Sequence, residues 1–457
     1  MGSLSTPESV QKLQTALHAK AKAEAGYRFY ALYDKIYRGD ILAHAYALCR
    51  SNRGAPGVGG QDFADVEEYG VEKWLGELAL ALKEGTYRPH PIRRVFIPKT
   101  NGKLRPLGIS TLRDRTCMTA AMLVLEPIFE ADLPPEQYGY RPGRNAQQAV
   151  TEVQALMFRG HPEIVDADLA DYFGSIPHAE LLKSAARRIV DRRVLHLIKM
   201  WLECPVEETD ERGRTIRSTG ARDSRRGIPQ GSPVSPLLAN LYMRRFVLGW
   251  KKLGLEQSLG ARLVTYADDL VILCKRGKAE EALQQLREIM GKLKLTVNEE
   301  KTRICKMPEG QFDFLGYTFG RMYSPKTGKA YLGYRPSKKS IKRMVETIHA
   351  LTALPGRPGA RLQERFRIVK RGWPCGSSSH GEAAKFNLDI QSVVSMRLMK
   401  IAAGGAEAVA EYVRMVQEKV YCRGGRADRW IARPCKRQER QGGDESGNGP
   451  GEEKGSR

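Results

Sequence analysis

No run of about 18 apolar residues occurs anywhere in this chain of 457 residues, so nothing in it reads as a membrane-spanning helix. The opening MGSLSTPESVQKLQ lacks the basic-then-apolar layout of a secretory signal. It fits a loose myristoylation pattern, which carries no weight without a second membrane feature. Cysteine is scarce and scattered, at 49, 117, 204, 274, 305, 375, 422 and 435, with no Cys-x-x-Cys pair. That spacing gives neither a zinc site nor a disulfide framework, and it predicts reduced thiols in a cytoplasmic protein. Acid is also short: 52 Asp and Glu face 75 Lys and Arg, a formal net charge of +23. So basic a chain points to a polyanion, with nucleic acid the first candidate and a merely solubilising surface the plainer one. With 41% hydrophobic residues, the chain can bury one large core or two to three modest ones.

The scarce acids are not placed at random. In ARLVTYADDLVILCK (261–275), Asp268 and Asp269 stand between Val264-Thr265-Tyr266 and Leu270-Val271-Ile272-Leu273. Each flank reads as a strand, and the acids fall where the chain must reverse. An Asp-Asp pair can be there only because Asp suits turns. A second acid in a like setting changes the balance. Asp168 lies in EIVDADLADYFGSIPH (163–178), where Ile164, Val165 and Leu169 predict a short strand. An acid inside a strand is costly unless a cation shares its site. Two such segments side by side would repel, and a divalent cation removes the conflict, oxygen ligands favouring Mg²⁺. Carboxylates holding two Mg²⁺ ions can activate a hydroxyl and stabilise a phosphoryl transfer, so the expectation is a two-metal nucleotidyl transferase.

The rest of the chain can be read in order. Residues 7–50 carry apolar positions at three and four residue intervals and predict helix. SNRGAPGVGGQDF (51–63) breaks it as a loop, and helix returns over 66–84 with Trp74, Leu75, Leu78 and Leu80 available for packing. RRVFIPKTNGKLRPLGIS (93–110) predicts a hairpin turning at Asn101-Gly102. Its cations Arg93, Arg94, Lys99, Lys103 and Arg105 suit a phosphate clamp, or equally a solvated edge. A helix follows over 111–133, then EQYGYRPGRNAQQAV (136–150), with Asn145 as an expected N-cap. Two tyrosines and two arginines there could clamp a nucleic-acid strand, or simply pack a loop. RRGIPQGSPVSPLLANLYM (225–243) is a rigid turn run released into an apolar helix, its small residues permitting close approach of a ligand or another backbone.

Taken together, RPLGI, EPIFE, YGYRPGR, DADLADYFGSI, RGIPQGSPVSPLLANLYM, YADD, LTVNEEKTRI and FDFLGYTF resemble, in order and spacing, the bacterial group II intron-encoded reverse transcriptase/maturases. The resemblance runs from about residue 50 to 345, with a weaker continuation to about 400. It implies an α+β right-hand polymerase with fingers, a palm built on an antiparallel sheet, and a helical thumb that doubles as the maturase (X) region. The expected division is an N-terminal helical extension and loop (1–60), fingers and palm (61–320), an altered thumb (321–420) and a basic, then disordered tail (421–457). By the same resemblance Asp168, Asp268 and Asp269 are the catalytic acids and, with the Leu169 carbonyl, hold two Mg²⁺ ions. Lys99 and Arg105 hold the incoming triphosphate, as do the backbone amides at Asp171 and Tyr172. Phe173 is the steric gate against a ribose 2′-hydroxyl, which implies dNTP substrates. Gln230 and Gly231 line the nucleotide pocket, and Arg141, Arg144 and Lys301 contact nucleic acid. The implied partners are an RNA template, group II intron RNA, a DNA primer or target and dNTPs, with no membrane; the oligomeric state stays open.

Departures from the family pattern matter as well. Gly57-Val58-Gly59-Gly60-Gln61 lacks an acid at Gly59 that relatives carry. Arg371-Gly372-Trp373 is followed by Pro374-Cys375-Gly376-Ser377 in place of Asn-Tyr-Phe, before a helix expected over 385–401. Cys422 and Cys435 stand alone, so no HNH endonuclease is expected, and 423–440 with Trp430 reads as a nucleic-acid-binding or solvated basic tail. The thumb departure touches the splicing role more than polymerisation. A reverse transcriptase recruited to defence or repair is therefore one alternative, and a non-enzymatic RNA-binding maturase another. An RNA-dependent RNA polymerase is a third, disfavoured by Phe173 and the motif order.

Overall fold

The computed structural model describes residues 4–352 apart from 99–101, 103, 211, 213, 325 and 326. Lys99, the Asn101 side of the hairpin turn, and the departures and tail beyond residue 352 lie outside the described residues.

The expected helix over 7–50 is three: α1 (Glu8–Ala23), α2 (Tyr33–Ile36) and α3 (Gly39–Ser51). A distant residue makes the break. The buried Arg188 guanidinium donates to the carbonyls of Ala21 at 2.6 Å and Glu24 at 2.9 Å, capping the end of α1. The chain then runs extended as Phe29 pairs with the main chain around Ile189, with Phe29 N to Arg188 O at 2.7 Å and Val190 N to Phe29 O at 2.8 Å. No periodicity within 7–50 could announce a cap supplied from residue 188. The next expected helix also splits, into α4 (Phe63–Tyr69) and α5 (Val71–Glu84), at Gly70, whose φ of +101° only glycine adopts readily. Trp74, Leu75 and Leu78 are buried as expected, whereas Leu80 is 53% exposed because Leu78 and Leu82 take the inward face.

The hairpin forms as β1 (Ile92–Pro98) and β2 (Leu104–Ile109), registered from Arg93 opposite Ile109 to Pro98 opposite Leu104. Helix α6 (Leu112–Glu130) starts at Thr111, whose hydroxyl accepts from Asp114 N. Pro127 lies inside it, where proline cannot donate to the Leu123 carbonyl; Gln14 of α1 donates there instead, at 3.1 Å. Asn145 caps α7 (Ala146–Phe158) in a reciprocal pair with Gln148, as the sequence predicts.

Strand β3 (Glu163–Ala167) precedes the short α8 (Tyr172–Ser175), then α9 (His178–Ala186) and α10 (Arg192–Leu202). The hairpin β4 (Val206–Thr209) and β5 (Thr215–Ser218) leads through α11 (Gly220–Ser224) to α12 (Ser235–Lys252) and α13 (Leu255–Ser258). Next come β6 (Arg262–Tyr266), β7 (Asp269–Cys274), α14 (Ala279–Lys292), β8 (Arg303–Lys306), β9 (Phe312–Phe314), β10 (Tyr317–Tyr323), β11 (Ala330–Pro336) and α15 (Lys338–Thr352).

Among the described residues these strands form three sheets, ordered β2-β1-β4-β5, β6-β7-β3-β8 and β11-β10-β9. All neighbours are antiparallel except β1 and β4, so the fold is α+β. A large core, with Trp201, Tyr242, Phe246 and Trp250 fully buried, packs helices against one side of the second sheet. A smaller core joins α7 to that sheet and to Phe312, Phe314, Tyr317 and Phe319. Cys49, Cys117, Cys204, Cys274 and Cys305 are free and buried. No helix among the described residues is long and apolar enough to cross a membrane.

Candidate active site

Pairing of Tyr266 with Asp269 leaves Ala267 and Asp268 as the two-residue turn between β6 and β7. Ala267 takes φ +59°, a left-handed conformation that a non-glycine residue adopts at some cost. What holds it there is backbone contact: a Cβ built on Gly139 would lie 2.4 Å from Ala267 N. The YGYRPGR loop therefore braces the acidic turn through a glycine that admits no side chain.

Strand β3 pairs with β7, Ala167 facing Leu270, so the next residues along each chain, Asp168 and Asp269, come to the same end of the sheet. Asp168 follows the strand and does not lie inside it; the acid within β3 is Asp166, which donors from β8 hold, Arg303 Nε at 3.0 Å. Asp166, Asp168, Asp269, Lys301, Asp313 and Leu315 are among the residues lining a cavity of about 180 Å³. Asp268 is exposed in the turn, and Asp269 beside it is also reached by solvent. Desolvation in this recess, then the charges of Asp268, Asp168 and Asp166, push the Asp269 carboxyl up to about 6. Asp166 is likewise raised by its burial, in spite of Arg303.

Asp168 is held on several sides. Its Oδ2 accepts from Lys301 Nζ at 2.9 Å and from Asn298 Nδ2 at 3.0 Å. Its carbonyl accepts from Asn298 N at 2.8 Å, and its own N–H donates to Thr302 Oγ1 at 3.2 Å. Leu169 is buried and bridges Val297. No three acidic, histidine or cysteine side chains converge as a ready metal cage among the described residues. The donor set nevertheless fits a hard divalent cation: carboxylate oxygens only, crowded enough to repel one another.

Three further chain segments, around Phe173, Gln230 and Gly108, are tied to one another by backbone contacts. Asp171 takes φ +42°, and its carboxylate lies over Gly174, where an added Cβ would come within 2.0 Å of Asp171 Oδ2 and would need that side chain to turn away. The Tyr172 ring is buried, its hydroxyl donating to Ala239 O at 2.7 Å, so only its main chain is left to meet a ligand. Phe173 is half-buried, edge-on to Tyr172 with ring centroids 5.7 Å apart. Its carbonyl accepts from Ile228 N at 2.8 Å, which ties the GIPQG turn to it. That turn also docks on β2, where Gly108 N donates to Gln230 O at 2.6 Å. A Cβ on Gly231 (φ +105°) would come within 2.5 Å of Gly108 O. Phe173, Gln230, Gly231 and the hairpin carrying the exposed Arg105 are thus brought together.

Not every expected residue joins them. Arg141 is buried, its guanidinium bidentate on Glu130 (2.6 and 3.0 Å) and donating to the carbonyls of Pro134 at 2.7 Å and Gln137 at 2.8 Å. Its donors point inward, to the loop it ties down. Arg144 is half-buried, its guanidinium 5.1 Å from the Tyr138 ring centre. Asp166, Asn298 and Asp313 are not singled out by the sequence, whereas Tyr140 is one of the two tyrosines expected to meet a nucleic-acid strand or pack a loop. Tyr140 is 50% exposed with φ +56°. Its hydroxyl is raised first by burial and then by Asp268, and lowered by Arg105, so it stands between the acidic turn and the cationic hairpin. The doubled tyrosine of YGYRPGR was the available signal for it.

Comparison with known proteins agrees with this geometry. Residues 97–319 match the family model described as reverse transcriptase (RNA-dependent DNA polymerase). Protein YkfC of Escherichia coli K12 is 33% identical over 354 residues, which cover 69% of this chain and 89% of YkfC. The group II intron-encoded protein LtrA of Lactococcus lactis subsp. cremoris is 34% identical over 227 residues, 49% of this chain and 36% of LtrA. A putative COX1/OXI3 intron 1 protein of Saccharomyces cerevisiae is 27% identical over 293 residues, 53% of this chain and 34% of the yeast protein. The chain thus spans most of YkfC and about a third of the two intron-encoded proteins.

Proposed function

The chain belongs to the reverse transcriptase family, in its group II intron-encoded branch, and is an RNA-directed DNA polymerase; from that premise we propose that Asp168, Asp268 and Asp269 form its catalytic centre. The observation that carries this reading is the β3–β7 pairing, which delivers Asp168 and Asp269 to one cavity, with Asp268 next to Asp269 in the turn. Asp168, Asp268, Asp269 and the Leu169 carbonyl would hold Mg²⁺, which when bound supplies Lewis-acid stabilisation of the oxygens of a nucleotidyl transfer. The protein's own groups do the rest. Arg105, with Lys99 six positions before it in the sequence, holds the triphosphate, and the main chain at Asp171 and Tyr172 donates to it. Gln230 and Gly231 shape the base and sugar pocket, and the Phe173 ring fills the space a ribose 2′-hydroxyl would need. The primer terminus approaches from the side of Asp313 and Leu315, where the cavity is lined by the β9–β10 connection.

In this reading residues 61–320 are fingers and palm of a right hand, with the thumb and tail following. The partners are an RNA template, a DNA primer or target and dNTPs in the cytoplasm, with intron RNA binding and splicing assistance as the further roles of the group II setting. The excess of 75 basic over 52 acidic residues supports the polyanion partners. Primer extension on an RNA template with dNTPs, with and without Mg²⁺, tests the reading. Failure of the folded, RNA-binding protein to extend would sink it.

Sugar selection gives a sharper test of the pocket. Phe173→Val is expected to reduce the preference for dNTP over NTP on the order of a hundredfold, since a shape-based exclusion is lost with the ring. The dNTP kcat/KM should stay within about tenfold, because the Phe173 main chain that anchors Ile228 is untouched. Competitive incorporation assays measure both, and an unchanged preference would remove Phe173 from the gate.

A further inference from the structure

Two donors of opposite character meet one oxygen of Asp168. Asn298 Nδ2 and Lys301 Nζ both reach Oδ2, at 3.0 and 2.9 Å, while among the described residues no hydrogen bond reaches Oδ1. The main chain around Asp168 is sewn to the same segment. Asn298 N donates to Asp168 O at 2.8 Å, Asp168 N donates to Thr302 Oγ1 at 3.2 Å, and Ala170 N donates to Thr296 O at 2.9 Å. The segment is itself a closed turn, Lys301 N and Thr302 N both donating to Asn298 O, at 3.2 and 2.9 Å. It then continues into β8, which pairs Arg303 with Asp166. Asn298 is half-buried and neutral, so it can orient the carboxylate without competing for its charge. Lys301 is different: its side chain is 63% exposed and positively charged.

We propose that Asn298 is the positioning residue for Asp168, and that Lys301 is a removable counter-charge standing where a divalent cation would take over the neutralisation. This rests on the reading of Asp168, Asp268 and Asp269 as cation ligands. Asn298 fixes the carboxylate rotamer through Oδ2 and leaves Oδ1 without a donor among the described residues. Lys301 lowers the mutual repulsion of the acids in the absence of metal and must yield its share of Asp168 when the metal binds. The two residues therefore act on cation affinity with opposite signs. Loss of an outer hydrogen bond that orients a ligand typically costs 10- to 100-fold in metal affinity or activity. Loss of a competing ammonium leaves the acids more negative and raises the affinity.

The test is Mn²⁺ binding to the full-length protein, followed by electron paramagnetic resonance without nucleic acid or dNTP. Asn298→Ala is expected to weaken binding by about tenfold or more, with kcat reduced and the dNTP KM within about threefold. Lys301→Met, at an exposed position that does not threaten folding, is expected to tighten Mn²⁺ binding by roughly fivefold, the size set by a screened surface pair. Opposite signs support the proposal. Shifts in the same direction, or none, with wild-type binding intact and lost in Asp269→Asn, would overturn it and leave the catalytic reading standing. Absence of any Mn²⁺ binding by the folded wild type would overturn both.

Discussion

Replacing Asp268 by alanine is expected to lower primer extension by at least about a thousandfold while leaving the protein folded. The carboxylate sits exposed in a two-residue turn, so its removal uncovers no core and breaks no hydrogen bond among the described residues. It also relieves repulsion, since Asp268 is the largest charge raising Asp269. The thermal midpoint should therefore stay level or rise slightly. Activity responds differently. If Asp268 is a cation ligand, its loss forfeits several kcal/mol of transition-state stabilisation, and about 4 kcal/mol corresponds to a thousandfold in rate. Single-turnover extension on an RNA template, read beside a thermal melt, separates the two effects. A folded variant that extends within tenfold of wild type would show that the acidic turn is not the catalytic centre.

That acidic turn was legible in the sequence because its signals are local. The alternating and β-branched flanks of Asp268-Asp269 specify strands, two residues remain for the reversal, and the same logic gave the β1–β2 hairpin and the Asn145 cap. The motif resemblance groups Phe173, Gln230 and Gly231 although 57 positions separate Phe173 from Gln230, and a backbone hydrogen bond from Ile228 to Phe173 ties their two segments together. What stayed hidden was chemistry supplied across the chain. Arg188 ends α1 from more than 160 residues away, and a helical pattern gives no notice of that. Asn298 sits in NEEKTRI, a run whose charges draw the eye, whereas its neutral amide is what orients Asp168. Asp166 was overlooked beside Asp168 because a two-residue offset in a strand is invisible until the register with β7 and β8 is known. Arg141 shows the reverse: an arginine in a Pro-Gly turn of a basic chain invites a phosphate, whereas its guanidinium is bonded to Glu130 and to the carbonyls of its own loop.

That bonding leads to the last large effect. Arg141→Met is expected to destabilise the fold by about 3 kcal/mol, the lower end for breaking a buried ion pair because Glu130 keeps some contact with solvent. The substitution leaves Glu130 unpaired and strips donors from the carbonyls of Pro134 and Gln137, while methionine refills most of the volume. Through that loop the damage should reach the site, since Gly139, two residues before Arg141, packs against the backbone of the Ala267 turn. Denaturant unfolding measures the stability, and the salt dependence of template binding supplies the opposing arm. A phosphate-contacting arginine would leave stability unchanged and reduce the slope of log affinity against log salt by about 1. A structural arginine does the opposite: the midpoint falls and the slope of the folded variant stays as in wild type. A lowered slope with an unmoved midpoint would mean that Arg141 turns outward to the template, and that some other group holds the loop against the catalytic turn.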